Sequence, residues 1–144
     1  MRNMKVLLFL FVGLFVNCHS VNSEEYKAIN TREDVKISFI KTTPSNGIRA
    51  VAVLFAGGDG DIDIDIENKT VGSSNFLVRS RVLFAKYGFL TVTPDLPSDM
   101  DSVKNDRGNT DYQTDISFLI QVIFHKLNYL VDTSQNLHQL NEDY

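Results

Sequence analysis

From Val53 to Glu67 the chain reads VLFAGGDGDIDIDIE: an apolar run, three glycines with Asp59 among them, then four carboxylates alternating with three isoleucines. Carboxylates that dense could bind calcium. Glycines after an apolar run could cradle a phosphate. The same glycines at a strand end could aim backbone N–H groups at a developing oxyanion. Each chemistry demands its own spacing.

An EF-hand loop needs glycine at its sixth position and glutamate at its twelfth. Counting from Asp59, those positions hold Ile64 and Thr70; from Asp61 they hold Ile66 and Gly72. The repeat G-G-x-G-x-D begins correctly at Gly57, but its aspartate falls on Ile62, and a single copy has no neighbour to stack on. No metal site is expected, and a solvated acidic edge is the simpler reading. The G-x-G-x-x-G pattern and the G-K-[ST] ending are absent, and the next helix starts only at Asn75. Four aspartates beside the turn would also repel a phosphate. No cofactor is expected. Two readings of Gly57 and Gly58 stay open: an oxyanion turn, or a plain tight turn.

The elements that would carry this turn are legible in outline. VKISFIK (Val35–Lys41) alternates as a half-buried strand, and Pro44-Ser45-Asn46-Gly47 is a turn. AVAVLFA (Ala50–Ala56) has the continuous apolar character of a strand buried on both faces. Asn75–Tyr87 reads as a helix with Ser74 or Asn75 as cap, Val78, Val82 and Ala85 inward, and Gly88 as the left-handed stop. FLTVT (Phe89–Thr93) is a buried strand ended by Pro94. Residues 96–109 form a loop, and Tyr112–Leu127 is a helix with Ile116, Leu119, Ile120, Ile123, Phe124 and Leu127 on one stripe. Val21–Glu33 is polar and reads as a loose segment. Alternating strands and helices predict an α/β fold with a three-layer sheet.

The N-terminus is of another kind. Arg2 and Lys5 precede the eleven-residue apolar run Val6–Val16, and small residues follow at Ser20 and Ser23. That order is a secretory signal peptide, expected over residues 1–23, with cleavage after Ser20 or Ser23. The run is short for a membrane span. Residues 24–144 then form one domain, exported to a periplasmic or extracellular space with no stable membrane span. Cys18 is the only cysteine, so processing leaves no thiol; the less favoured alternative retains Cys18 as a lipid anchor. A net charge of -4 offers no basic surface for nucleic acid. Asn68-Lys69-Thr70 is a formal glycosylation sequon, relevant only in a eukaryotic secretory pathway.

Separated motifs now fall in order: Phe55-Ala56-Gly57-Gly58, Asn75-Phe76-Leu77-Val78-Arg79-Ser80-Arg81, Pro94-Asp95-Leu96-Pro97-Ser98-Asp99, then Arg107, Tyr112 and Asp115-Ile116. Over about Val51–Ile120 this resembles the N-terminal half of a secreted bacterial, dienelactone-hydrolase-like group of the α/β-hydrolase superfamily. Tyr112 stands where that group usually has a histidine. The resemblance implies a serine hydrolase acting on esters or similar acyl bonds of a small-molecule substrate. It also implies a nucleophile elbow, G-x-S-x-G, followed by an acid and a histidine much further along. The elbow position falls on Leu130-Val131-Asp132-Thr133-Ser134-Gln135-Asn136, which makes Ser134 the candidate nucleophile; Asp132 and Asn136 occupy the two glycine positions.

Of the three histidines, His19 lies in the leader, His125 in a helix and His138 only four residues past Ser134. The expectation is therefore the front half of a hydrolase, inactive alone, with apolar strand edges exposed at Phe89–Thr93 and Leu130–Val131. The alternatives are a non-catalytic binding protein on half the scaffold, and a hydrolase completed by a separate chain. Arg79 and Arg81 read as surface or loop-anchoring groups. Asp95 and Asp99 could support a site but fit loop-capping better.

Overall fold

A computed structural model describes residues 22–142. The leader, Cys18 and His19 lie outside the described residues. The chain folds as β1 (Ser23–Arg32), β2 (Val35–Thr43), β3 (Ala50–Val53), β4 (Ile64–Asp65), β5 (Thr70–Val71), α1 (Phe76–Lys86), β6 (Phe89–Pro97) and α2 (Thr110–Glu142). The main sheet runs in the order β1-β2-β6-β3, and β4 and β5 form a separate small hairpin.

This is a mixed α/β fold, but its sheet is mostly antiparallel. β1 and β2 form a hairpin, β2 is antiparallel to β6, and β3 alone runs parallel to its partner β6, reached through α1. A continuous apolar run such as Ala50–Ala56 is typical of a parallel sheet, and the sequence reading expected a three-layer one. It missed β1, which had read as a loose polar segment. Tyr26 and Ile29 of β1 pack against the two core clusters, while its charges line an outer edge of the sheet. Asp34, at φ 56, turns the chain between β1 and β2.

Successive side chains of a strand point to opposite faces, and β2 uses both. Ile37 and Phe39 join Leu90, Val92 and the α2 residues Leu119 and Ile123 in one cluster. Ile40 joins Ala56, Ile62 and the α1 residue Val78 in the other. Each face of the sheet therefore carries one helix. The Asn75 side chain caps α1 by accepting from Leu77 N–H, and Gly88, at φ 89, ends it, both as expected. Val82, expected inward, is 45 % exposed, and Phe124 on α2 is 50 % exposed.

Pro94 does not stop its strand. β6 runs on to Pro97 because the ladder with β2 shifts register between Ile37 and Phe39, opposite Pro97 and Pro94. A proline has no N–H to place in a ladder, and an irregularity there removes the need for one. Nor is Phe89–Thr93 an exposed edge: β6 lies between β2 and β3. The free edges belong to β1 and β3. β1 is guarded by Glu24, Glu25, Lys27 and Arg32, whereas β3, AVAV, has no charge to deter another strand. β3 is also only half-buried rather than sealed on both faces.

Candidate functional site

β3 delivers the glycine turn at the carboxyl end of the parallel pair. Leu54 N–H still donates to Val92 O at 2.8 Å, and then the backbone leaves the sheet. Gly58 takes φ 66 and Gly60 φ 92, conformations that disfavour a side chain. A Cβ on Gly60 would also lie 2.5 Å from Val103 Cγ2. The loop after β6 fastens the turn from outside. Arg107 Nη2 donates to Ala56 O at 2.8 Å and to Gly58 O at 3.3 Å. Val103 N–H donates to Asp59 O at 2.7 Å.

Beside the turn is an open cavity of about 420 Å³ lined by Phe55, Arg107, Tyr112, Gln113, Ile116 and Ser117. It joins the end of β3 to the first turns of α2, where the Asn109 carboxamide caps the helix by accepting from Asp111 N–H at 2.8 Å. Tyr112 is buried, and that burial pushes its phenol up against the opposing pull of the Arg107 cation. It is therefore a neutral donor at physiological pH. Apolar walls with a few convergent polar groups, at the carboxyl ends of parallel strands, match the usual setting of a ligand pocket.

Arg107, which lines this cavity, holds the glycine turn beside it through Ala56 O and Gly58 O. Leu130, Val131 and Ser134 are all within α2, which continues fifteen residues past the predicted Leu127 end to Glu142. No strand-to-helix elbow forms at Ser134. His125 is exposed on α2, over a different groove shared with Phe118 and Phe124.

The acidic stretch folds as a structural strap. Ile62 is fully buried against Ile40 and Val78, and Ile64 packs on the same cluster, while Ile66 is exposed, so the first two isoleucines anchor the stretch with carboxylates outward between them. The carboxylates answer local N–H groups. Asp61 accepts from Asp63 N–H at 2.9 Å. Asp65 accepts from Asn68 through both backbone and side chain, which holds its carboxyl below the usual range. Asp63 takes φ 54 and its side chain crowds Gly72, where any Cβ would collide with it. Among the described residues no group of three His, Cys, Asp or Glu side chains is arranged to hold a metal ion. Calcium titrated into the mature protein and followed by calorimetry is expected to give no saturable site below millimolar. A stoichiometric micromolar site lost in Asp61→Ala with Asp63→Ala would overturn that.

Asp95 and Asp99, the strand-end pair, are both engaged in holding the frame. Asp95 accepts from the N–H groups of Ile62 at 2.9 Å, Ile64 at 3.0 Å and Leu96 at 2.9 Å. Asp99 pairs with Arg32 at 2.9 Å. Arg32 also forks onto Asp115, Nε to Oδ1 at 2.9 Å and Nη2 to Oδ2 at 2.8 Å. Nothing in the sequence marked Arg32, which lies 83 positions from Asp115. Arg81 anchors α1 to β1, donating to Val78 O and meeting Glu24. Arg79 is exposed, and no helix among the described residues is long and apolar enough to cross a membrane.

Comparison with known proteins places nothing beside this chain: no protein family, curated protein or solved structure matches it.

Proposed function

We propose that this is an exported protein on an α/β-hydrolase-like scaffold that has no esterase activity of its own. The observation that carries the scaffold reading is the position of Gly57 and Gly58. They follow the third strand and precede the first helix, where α/β hydrolases draw an oxyanion donor. One helix on each face of the sheet supports the same three-layer reading. What supports inactivity is that Ser134 falls within the span of α2 rather than in a strand-to-helix turn, and that Asp132 and Asn136 fill the two glycine positions of the elbow. An oxyanion donor without a nucleophile and base beside it stabilises a charge that never forms. Export is supported by the order of charged, apolar and small residues before Ser23.

The test is p-nitrophenyl acetate turnover by the mature wild type and Ser134→Ala, with fluorophosphonate labelling of both. Neither is expected to exceed the uncatalysed background, and neither should label. The mature chain is also expected to self-associate as concentration rises, through the unguarded β3 edge. Saturable turnover abolished by Ser134→Ala would make Ser134 a working nucleophile and sink the reading.

A second reading, a non-catalytic binding protein, draws on the cavity between Phe55, Arg107 and Tyr112. A monodisperse mature protein with a single cooperative melt would favour it.

A further inference from the structure

Building on the binding reading above, we propose that the cavity between the end of β3 and the start of α2 binds a small aromatic monocarboxylate, held by Arg107 and the Tyr112 hydroxyl.

Two donors meet at this cavity with no acceptor in the protein to take them up. Tyr112 is only 8 % exposed, yet its hydroxyl makes no hydrogen bond among the described residues. A buried phenol ordinarily finds a partner. This oxygen is not sealed into the core, as the Thr91 and Thr93 hydroxyls are. Tyr112 lines the cavity, so its hydroxyl is left for whatever enters there.

Arg107 supplies the charge. It forms no ion pair among the described residues, and only its Nη2 is engaged, on Ala56 O and Gly58 O. Its cation is felt at the Tyr112 phenol, which places the two groups in one neighbourhood. No carboxylate is among the residues that line the cavity. Asp111, next to Tyr112 in the chain, lies 3.9 Å from Arg32, and Asp106 takes the Asn109 side chain.

The donor arrangement selects the ligand. Both forks by which a guanidinium grips a carboxylate include Nη2, which is already committed. A carboxylate here takes one N–H from Arg107, and its second oxygen needs another donor. The neutral Tyr112 phenol provides it. A phosphate dianion would find a single cation and the aspartates of the neighbouring strap, so one negative charge fits better. Phe55 and Ile116, both half-buried, form the apolar walls, and the exposed Gln113 and Ser117 form the polar rim. About 420 Å³ falls in the range of small-molecule sites, and an aromatic ring suits a wall that contains Phe55.

Isotope-labelled protein purified from an exporting host is titrated with phenylacetate and followed by NMR. Saturable shifts are expected at Arg107 Nε–H and at the amides of Gln113 and Ser117, half-complete at about 0.1–1 mM. Phenylacetamide, the same shape without the charge, should bind at least about tenfold more weakly. Tyr112→Phe removes only an oxygen that has no partner in the protein. It should melt as the wild type does and bind phenylacetate about tenfold more weakly. Absence of any saturable shift in a monodisperse, cooperatively melting chain overturns the site and leaves the binding reading standing. A chain that only aggregates overturns both. Equal binding of the amide, or unchanged affinity in Tyr112→Phe, overturns the assignment of the two donors. Shifts centred on Phe118 and His125 would place binding in the other α2 groove and overturn the site. Inorganic phosphate moving the same signals at lower concentration overturns the choice of a carboxylate.

Discussion

Asp115→Asn should lower the melting temperature by about 5–10 °C at neutral pH. Asp115 is fully buried on α2 and takes both prongs of Arg32, which comes from the last residue of β1. The variant leaves a guanidinium facing a neutral amide, whose NH2 cannot accept. Arg32 keeps Asp99 at 2.9 Å and has Asp111 at 3.9 Å, so the loss is smaller than for an isolated buried pair.

The pH dependence has a definite sign. Burial pushes the Asp115 carboxyl up. The Arg32 hydrogen bonds and the Arg32 charge outweigh it, and the carboxyl is held below its ordinary range. Arg32 itself is raised and stays cationic throughout. A carboxyl depressed in the folded state contributes stability above its unfolded value, near about 4, and loses it as pH falls through the folded value. The gap between wild type and Asp115→Asn should therefore be complete at pH 7 and close below about pH 4. Melts of both proteins from pH 7 to 3 check this. A gap that stays constant into acid would mean that Asp115 acts by packing alone.

Asp95→Ala should cost about 3 kcal/mol, because one carboxylate answers three backbone N–H groups and hydrogen bonds to a charged acceptor are the stronger kind. Ile62 N–H is the critical donor, since its residue is fully buried and would find no water to replace the lost acceptor. The strap from Asp61 to Val71 should loosen while the main sheet stays folded. Amide exchange at Ile62 and Ile64 should accelerate about 100-fold, with Leu119 and Ile123 on the opposite face little changed. Asp95→Asn keeps one acceptor oxygen but turns an NH2 toward an N–H, so it should fall between the two. Uniform acceleration across both core clusters would show that Asp95 holds the whole domain rather than the strap.

The five apolar elements β2, β3, α1, β6 and α2 were readable because each carries its own pattern. Alternation marked β2 and the 3.6-residue period marked α2. Asn75 and Gly88 marked the ends of α1 because capping is local chemistry. The glycine turn was readable too, since a strand end with glycines has few uses. Excluding a calcium loop and a phosphate cradle needed only counting.

Other features were decided by partners that sequence neighbours do not reveal. β1 looks polar because an edge strand buries only part of itself, and it exists through its pairing with β2 and the Arg32–Asp115 fork. Pro94 ends a strand by local rules, yet β6 runs through it because β2 shifts register opposite. Ser134 fell at an elbow by motif spacing, while the backbone there is helical, in continuity with the stripe that begins near Tyr112. The alternating aspartates read as a solvated acidic edge. Burial of Ile62 and the three N–H groups gathered by Asp95 make them the outer face of a packed strap. What the sequence by itself determined is the periodicity, the caps and the turn, all written within a few residues. Strand order and the Arg32 and Asp95 contacts were decided only in the tertiary structure, because each depends on residues far apart in the chain meeting across the core.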